Sequence, residues 1–363
     1  MVFLISLVLA WGFILVAGKS LSYGKNGLIQ TKLPLPDILR RKVVWYYSAA
    51  SVLSVFTAAG TLFGWFDRLE EPWLTLAGVL TKGGLAGALF VFVMYAGAFP
   101  SGSRPSRKLI PIRGQLSIIA GILSLGHAVR YGATYFVLLF TRASYLKMST
   151  LAASVTSFFL VAVMIPLLAT SFLFVRRRMK PKNWKKLQKA AYVFYVLLWA
   201  HIVLMNFPSA KNGNLQATLN IHLYSIIFLT YLWLKTRKYL LVYLIAGVYI
   251  LIALTAFSAP SKSSTGTDLS AAKLQDGEYS GAGMGYNGRL TVSVTIEDGR
   301  LCEVKLKGSV DDEPYVSEVK AKLLPAIVEA GSPDVDAVSG ATTTSHGVQE
   351  AVRDALEKAV PHP

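Results

Sequence analysis

The chain has 363 residues, of which 53% are hydrophobic and 16% are charged, and its mean hydropathy is +0.47. Soluble globular proteins average roughly 45–50% apolar and 25% charged residues, so this composition favours a membrane protein over a soluble one. The single cysteine, Cys302, excludes an internal disulfide, a c-type haem attachment motif and any iron–sulfur or zinc site that needs several thiolates.

The net charge of +17 is unevenly distributed along the chain. From Asp268 onward, nine Lys/Arg residues oppose sixteen Asp/Glu residues, whereas residues 1–267 carry 28 basic and four acidic residues. Such asymmetry occurs in nucleic-acid-binding proteins, but here the basic residues lie between apolar runs, where membrane topology explains them better. We therefore expect contact with membrane lipid and no nucleic-acid partner.

Eight apolar stretches approach the roughly 20 residues that a helix needs to cross a bilayer. They cover residues 2–17, 43–66, 74–99, 114–140, 149–175, 190–207, 217–234 and 239–257. The first lacks a basic n-region and an Ala-x-Ala exit, so we expect an anchor helix and not a cleaved signal peptide. Residues 1–257 are thus predicted to form a polytopic α-helical membrane bundle of about eight transmembrane helices.

Basic residues alternate strongly between the loops on the two sides of this bundle. One set of loops holds 21 Lys/Arg residues, and the alternate loops hold only Arg68, Arg142, Lys147 and Lys211. Cytoplasmic loops of membrane proteins carry an excess of Lys and Arg, so the first set is predicted to be cytoplasmic. Both termini, and the C-terminal domain with them, are then expected outside the cytoplasm.

After the last apolar stretch the composition becomes polar. Residues 258–267 are rich in Ser and Thr and predict a flexible linker. Residues 268–363 predict a small α+β domain that this linker holds at the outer membrane surface. Its expected elements are a turn-rich segment at 276–288, a hairpin of 290–296 with 301–306, and helices at 315–329 and 346–359.

The stretch from Asp336 to His346 reads Asp-Ala-Val-Ser-Gly-Ala-Thr-Thr-Thr-Ser-His. Small residues, hydroxyls and backbone amides that lead into a helix form a suitable phosphate site. An ordinary helix start, with Thr344 or Ser345 as its cap, explains the same residues. Judged on the residues alone, the capped helix is the more common of these two structures.

The stretch resembles the flavinylation motif Asp-x-x-Ser/Thr-Gly-Ala-Thr of the FMN-binding domains found in the sodium-pumping NADH:quinone oxidoreductase and the related Rnf complex. The fixed positions of that motif are filled by Asp336, Ser339, Gly340, Ala341 and Thr342. That family also opens with Asp-Gly-x-Tyr-x-Gly and Gly-Tyr-x-Gly elements, to which residues 276–281 and 285–288 are similar.

The resemblance implies that a flavin transferase joins the phosphate of FMN to the Thr342 hydroxyl as a phosphodiester, with Thr343 as the neighbouring alternative. Asp336 would help the transferase to position its metal and the acceptor hydroxyl. Ser339 and Gly340 would shape the loop. Such transferases act outside the cytoplasm, which agrees with the orientation expected from the loop charges.

Gly285 and Tyr286 belong to the Gly-Tyr-x-Gly element. The resemblance makes them candidates for contact with the isoalloxazine ring of the flavin. A hairpin glycine and a core tyrosine explain them equally well.

Three histidines, His127, His201 and His222, lie within the predicted transmembrane helices. An ionisable residue in such a helix indicates a functional site, although a neutral histidine also serves as a hydrogen-bonding group between helices. All three are expected at or beyond mid-membrane on the outer side. Pairs of imidazoles from facing helices hold the iron of haem b, and Arg130, three residues after His127, could pair with a haem propionate.

The ferric-reductase-like transmembrane family, in particular the haem-bearing membrane subunit of the periplasmic methionine sulfoxide reductase system, is similar to this chain at residues 168–178, 184–192 and 199–201. The resemblance implies that His127 and His201 ligate the iron of an outer haem, with His222 as an alternative ligand. The positions of an inner haem's ligands fall on Arg113 and Gln188. Neither is a haem ligand, so we expect one haem b.

The cytosolic NADPH- and FAD-binding domain of full ferric reductases has no counterpart motif in the cytoplasmic loops. We therefore expect a membrane quinol or a partner redox protein as the electron donor. The predicted oxidoreductase activity transfers electrons through haem b to covalent FMN and on to an external acceptor, which is ferric iron, a small oxidant or a redox protein.

An alternative is a flavin-carrying anchor or assembly subunit of a larger redox complex, in which the histidines are structural. A transporter is a weaker alternative, because the helices show neither an inverted repeat nor a pair of broken helices.

Overall fold

The computed structural model describes residues 2–21, 41–66, 69, 72–211, 214–236, 247, 274–311 and 313–361. The chain divides into two compact units. The first comprises Met1–Phe136 and Ala153–Pro260, and the second comprises Val137–Ala152 and Ser261–Pro363. The described residues of the first unit are helical, whereas the second unit contains a β-sheet.

The helices that precede the sheet are α1 (Val2–Leu21), α2 (Lys42–Leu62), α3 (Trp73–Thr81), α4 (Gly84–Ala96), α5 (Arg104–Leu109), α6 (Arg113–His127), α7 (Ala133–Thr141), α8 (Met148–Ser171), α9 (Leu173–Arg176), α10 (Pro181–Gln188), α11 (Ala190–Lys211) and α12 (Leu215–Thr236). A 3-10 turn at Ile110–Ile112 and a π-helical turn at Ala128–Gly132 join α5, α6 and α7 into one 38-residue span.

Six of the described helical spans are long and apolar enough to cross a membrane, and α3 with α4 forms a seventh that is bent by 53°. These correspond to seven of the eight predicted stretches, so the apolar helical bundle is confirmed. The eighth stretch, at residues 239–257, lies outside the described residues except for Gly247, and the predicted linker at residues 258–267 lies outside them altogether.

The predicted continuous helix over residues 74–99 is wrong in one respect, because the chain breaks between α3 and α4. Gly83 adopts a left-handed conformation with φ of 68°, which glycine tolerates without steric cost and which no helix can continue. The apolar content of this stretch predicted the span correctly, but hydropathy contains no information on the break.

Large apolar side chains cover the outside of the helical unit. Val16 is 84% exposed, Val8 is 72% exposed and Val52 is 67% exposed. Inside, small residues let helices approach closely: Gly126 of α6 faces the backbone carbonyl of Ser54 in α2, and a Cβ there would clash with it. Helices that are apolar all round and packed through small residues are typical of membrane proteins.

The second unit contains an antiparallel sheet of β1 (Gly277–Met284), β2 (Arg289–Glu297) and β3 (Arg300–Gly308), in that order. Helices α13 (Glu313–Glu318), α14 (Leu324–Ala330) and α15 (Thr342–Ala359) complete it. The predicted hairpin is confirmed, and its turn residues Asp298 and Gly299 both have positive φ, as a tight hairpin turn requires.

The turn-rich segment predicted at residues 276–288 is instead mostly strand β1. Glycine is uncommon in strands, so its frequency here indicated turns. In the structure Gly281 and Gly283 point to the same face of β1 and lie against the backbone of α15. A Cβ on Gly281 would clash with the carbonyl of Ala351, and one on Gly283 with the carbonyl of Gly347.

Carboxylates of α15 satisfy backbone amides at the free edge of β1. Asp354 accepts hydrogen bonds from the Ala282 amide at 2.8 Å and from Lys358 Nζ at 2.9 Å, and Glu350 accepts one from the Met284 amide at 3.0 Å. Burial raises the pKa of Asp354, but these hydrogen bonds and nearby positive charges outweigh burial and hold it below its usual value. The helix therefore covers an edge strand that would otherwise be open to pairing.

Gly281→Ala tests this contact between strand and helix. The added Cβ meets the backbone of α15, which cannot rotate away, so we expect the second unit to lose about 3 kcal/mol of stability. Hydrogen exchange of the β1–β3 amides in the full-length protein measures this loss. The matched control is Ser280→Thr, which adds a methyl group to the exposed neighbour in the same strand. Equal protection in the two variants would contradict the contact.

Candidate functional site

Helix α15 begins at Thr342, which is exposed and is the first residue of the helix. The preceding residue, Ala341, has no side chain that caps the helix. Because the first backbone amides of a helix have no partner within it, the amides around Thr342 are available to an anion. A hydroxyl and a set of amide donors thus lie together at one solvent-facing position.

The hydroxyls of Thr344 and Ser345 do not cap this helix start. Thr344 Oγ1 donates to Asp311 Oδ2 at 2.7 Å, and both residues are buried. Ser345 Oγ donates to the Ala341 carbonyl at 3.0 Å and accepts from the Val338 amide at 3.1 Å. These two side chains therefore hold the preceding loop and leave the amides of the first turn uncapped, so the capped-helix alternative is not what the chain forms.

The loop that leads into α15 presents its motif residues to solvent. Asp336, Ser339 and Gly340 are exposed. Gly340 has a φ of 84°, a conformation that strains any residue with a side chain. Gln349 Nε2 donates to the Val335 carbonyl at 2.6 Å and anchors the start of the loop on the helix.

The turn from Gly285 to Gly288 lies at the end of β1 and closes with a hydrogen bond from the Gly285 amide to the Gly288 carbonyl at 2.8 Å. The Tyr286 and Asn287 amides donate to the two oxygens of Asp311 at 2.8 Å and 2.7 Å. A Cβ on Gly285 would clash with the same carboxylate. Gly285 is therefore explained by close packing in a turn, and Tyr286 is half-buried beside it.

Asp311 joins the two parts of the predicted site. Its carboxylate accepts from the Tyr286 and Asn287 amides of the turn and from the Thr344 hydroxyl in the first turn of α15. The turn and the start of α15 are consequently held within reach of one carboxylate. Asp311 was not predicted from the sequence, because an aspartate outside any motif gives no signal, and here two further acidic residues follow it directly.

Asn287 is a second residue that the sequence did not single out. It is 4% exposed, and its side-chain nitrogen Nδ2 is buried without a hydrogen-bond partner among the described residues. A buried amide donor without a partner is costly, so such a group indicates a partner that is not part of the chain. A carbonyl or ring nitrogen of a bound molecule would satisfy it.

The segment between α7 and α8 contributes to the same turn, within the second unit. The Lys147 amide donates to the Asn287 carbonyl at 3.0 Å, and Leu146 forms a β-bridge with Gly288. Burial lowers the pKa of the Lys147 ammonium, and the nearby carboxylates of Asp311 and Glu350 partly restore it. The Lys147 ammonium therefore places a positive charge near the Asp311 carboxylate.

In the helical unit, His127 of α6 and His201 of α11 come together, as predicted. Their ring centroids are 6.4 Å apart and the ring planes are inclined by 76°. His222 lies half-buried on α12. Among the described residues no group of three or more His, Cys, Asp or Glu side chains is placed to hold a metal ion.

Hydrogen bonds assign the same tautomer to both histidines. His127 Nδ1 lies 2.9 Å from the Thr81 carbonyl oxygen, which only accepts, so Nδ1 carries the proton. His201 Nδ1 lies 2.8 Å from Ser157 Oγ, whose own hydrogen is donated to the Ala153 carbonyl at 2.7 Å. His201 Nδ1 must then donate as well. The Nε2 atom of each ring keeps its lone pair, which is the form that ligates a metal.

The break between α3 and α4 explains how Thr81 reaches His127. Carbonyls in the last turn of a helix have no partner within it, so the Thr81 oxygen is available to the imidazole. Gly83, in the break, packs against the same ring, where a Cβ would lie 3.3 Å from its carbon atoms. The break was not predicted from the sequence, although it orients a predicted site residue.

Arg130 lies in the π-helical turn that follows His127 directly. Its guanidinium lies 5.3 Å from the centroid of the Tyr131 ring, and that ring lies 5.0 Å from the His127 ring. Single π-helical turns inside α-helices occur frequently at functional sites. Arg130 and Tyr131 thus lie on the helix immediately beyond the histidine pair.

Comparison with known proteins agrees with the separation into a helical region and a small sheet domain. The FMN-binding domain family matches residues 285–357, which include the turn, Asp311 and most of α15. NADH:acrylate oxidoreductase of Vibrio harveyi is 28% identical over 87 residues, which are 24% of this chain but 9% of that protein. The chain therefore contains an FMN-binding domain, a type of domain that serves flavin-based electron transfer.

A second similarity covers most of the chain. A protein of Treponema pallidum (strain Nichols), described as an uncharacterized protein, is 35% identical over 301 residues, which cover 78% of this chain and 83% of that protein. Identity at this level over most of both chains shows common ancestry. The chain belongs to the same family as the Treponema pallidum protein.

Proposed function

We propose that the protein transfers electrons from a membrane quinol to an acceptor outside the cytoplasm, with haem b held by His127 and His201 and FMN bound to Thr342 as its carriers. The observation that carries this proposal is the histidine pair. Two imidazoles from different helices lie 6.4 Å apart in an apolar bundle, and each has its Nδ1 proton bonded so that Nε2 is left as a ligand. The same chain carries an FMN-binding domain.

The two rings lie close together, with centroids 6.4 Å apart, and their unprotonated nitrogens would hold the iron of a haem. Hydrogen bonds from Nδ1 to a carbonyl and to a hydroxyl are the outer contacts that fix the orientation of ligating histidines. His222 is retained as an alternative ligand, and Arg130 as a partner for a propionate.

The start of α15 fits a flavin phosphate. Thr342 presents its hydroxyl at an uncapped helix N-terminus, whose amides and dipole favour a negative phosphate. The exposed loop of Asp336, Ser339 and Gly340, with Ala341, leaves room for a transferase to reach that hydroxyl. Thr343 is the neighbouring alternative and is less exposed.

The turn beside this helix start fits the flavin ring. The buried Asn287 Nδ2 donor has no partner among the described residues, and a flavin carbonyl or ring nitrogen would satisfy it. Tyr286 supplies an aromatic side chain at the same turn. Asp311 holds both elements, so it acts as a positioning residue for the cofactor.

The carriers supply the redox chemistry and the chain supplies their position. When bound, haem b would carry single electrons, and FMN would exchange between one- and two-electron chemistry. Covalent attachment would keep the flavin from diffusing away outside the cytoplasm. The 21 cations in one set of loops support an orientation with the FMN-binding domain on the extracytoplasmic side. The acceptor is ferric iron, a small oxidant or a redox protein.

Substitution of Thr342 tests the attachment site. In cells that contain the flavin transferase, Thr342→Ala is expected to lose the mass of one FMN less one water, because the acceptor hydroxyl is gone. Thr342→Ser keeps a hydroxyl and is expected to remain flavinylated, as is the matched neighbour Thr343→Ala. Intact-protein mass spectrometry under denaturing conditions measures the adduct. Flavin that persists on Thr342→Ala and disappears from Thr343→Ala would move the site to Thr343.

Absorption of the dithionite-reduced protein tests the haem ligands. His127→Ala and His201→Ala are each expected to abolish the reduced haem b bands, because one imidazole alone leaves the iron without its second ligand. His346→Ala is the control, since His346 lies at the surface of the FMN-binding domain. Wild-type protein without haem absorption would contradict the proposal and favour an anchor or assembly subunit with structural histidines.

A further inference from the structure

A cavity of about 320 Å³, open on one side, lies in the helical unit and is lined by residues of α4, α6, α8, α9, α10 and α11. Its volume falls in the range of about 300–1,000 Å³ that is typical of ligand pockets. Most of its wall is apolar and is formed by side chains such as Phe90, Met94, Leu167 and Phe194. An apolar cavity of this size between membrane helices suits a small, largely apolar molecule.

The polar residues of the wall all carry donor groups: they are Arg113, Ser117, Ser171, Arg176, Trp184 and Gln188. None of the described lining residues is an aspartate, a glutamate or a histidine. Gln188 Nε2 donates one of its two hydrogens to Thr170 Oγ1 at 3.2 Å. Trp184 Nε1 donates to the Thr170 carbonyl at 3.0 Å, and the Arg176 guanidinium stacks over the Trp184 ring at 4.0 Å. A ligand with an apolar body and oxygen atoms that accept hydrogen bonds matches this wall.

The cavity lies a short distance along two helices from the histidine pair. Gly121, which lines the cavity, precedes His127 by six residues on α6, and Phe194 precedes His201 by seven residues on α11. At 1.5 Å per residue these separations are about 9 Å and about 10 Å along the helix axes. Arg113 and Gln188, the two positions at which an inner haem would need its ligands, both line this cavity.

We propose that this cavity binds the headgroup of the membrane quinol that donates the electrons, a proposal that rests on the function proposed above. The guanidinium of Arg113 and the amide of Gln188 would face the quinone oxygens, and the aromatic and aliphatic wall would contact the ring. On oxidation the quinol becomes a quinone and releases two protons to water and two electrons. The two electrons reduce one FMN, which takes up two protons at its own site.

Fluorescence quenching measures the binding. Full-length holoprotein in detergent is titrated with 2-methyl-1,4-naphthoquinone, and quenching of tryptophan emission reports binding because Trp184 forms part of the wall. We expect saturable quenching in the wild type and its loss in Trp184→Phe. Quenching that never saturates, or that is unchanged in Trp184→Phe, would overturn the site.

A cavity-filling variant and a matched control locate the site. Gly114 lines the cavity, and a Cβ added there meets no atom within 4 Å, so Gly114→Leu is expected to weaken binding at least about tenfold without disturbing the fold. Gly12→Leu is the control, because Gly12 of α1 has equally open surroundings but lies outside the cavity. If Gly114→Leu fails to fold, Gln188→Leu serves in its place. This variant is expected to weaken binding because it removes the side-chain amide donor.

Quinol-driven reduction of the flavin separates this inference from the proposed function. Binding that is retained in His127→Ala, while naphthoquinol no longer reduces the flavin, supports both. If the wild type binds naphthoquinone in the cavity but naphthoquinol does not reduce its flavin, the binding site stands and the proposed function is wrong. If naphthoquinol reduces the flavin equally well in Gly114→Leu and in the wild type, the proposed function stands and the binding site is wrong. Two haems per polypeptide, with the second displaced by Gly114→Leu, would also overturn it.

Discussion

The cofactor-binding part of this protein depends on direct contact between the backbones of β1 and α15. Glycines at 281 and 283 leave no side chain between the strand and the carbonyls of the helix. This contact fixes where α15 starts relative to the end of β1, and so it brings Thr342 and the Gly285–Gly288 turn to the same end of the domain. Asp311 then bonds to both. A bound flavin would need a constant distance between the start of α15, which would hold its phosphate, and the Gly285–Gly288 turn, which would contact its ring.

In the helical unit, the break between α3 and α4 positions His127. Left-handed Gly83 ends α3 early and frees the Thr81 carbonyl, which accepts the Nδ1 proton of His127. Ser157 does the same for His201 from another helix. Polar groups are expensive in an apolar bundle unless they are paired, and these two hydrogen bonds pair the Nδ1 atom of each histidine.

Much of this fold could be predicted from the sequence, because the deciding signals are local. Apolar runs of sufficient length predicted the spans, and Asp298-Gly299 predicted the hairpin turn. Strand β1 was missed because its glycines are explained only by α15, which lies about 70 residues later in the chain. Asp311, Asn287 and the break at Gly83 were missed for the same reason: each acquires its role from a distant partner. The resemblance to the ferric-reductase-like family singled out His127 and His201, whose rings lie 6.4 Å apart, and their ligation of a haem stays a prediction.

The proposed function requires electrons to pass between the histidine pair and the flavin of one polypeptide. Anaerobic stopped-flow spectroscopy of the oxidised holoprotein mixed with a naphthoquinol tests it most directly, because haem and flavin absorb at different wavelengths. We predict that the haem b bands appear first and that the flavin absorption bleaches afterwards, with two electrons consumed per flavin. Flavin bleaching with no preceding change in haem absorption, or at an equal rate in His201→Ala, would contradict the account.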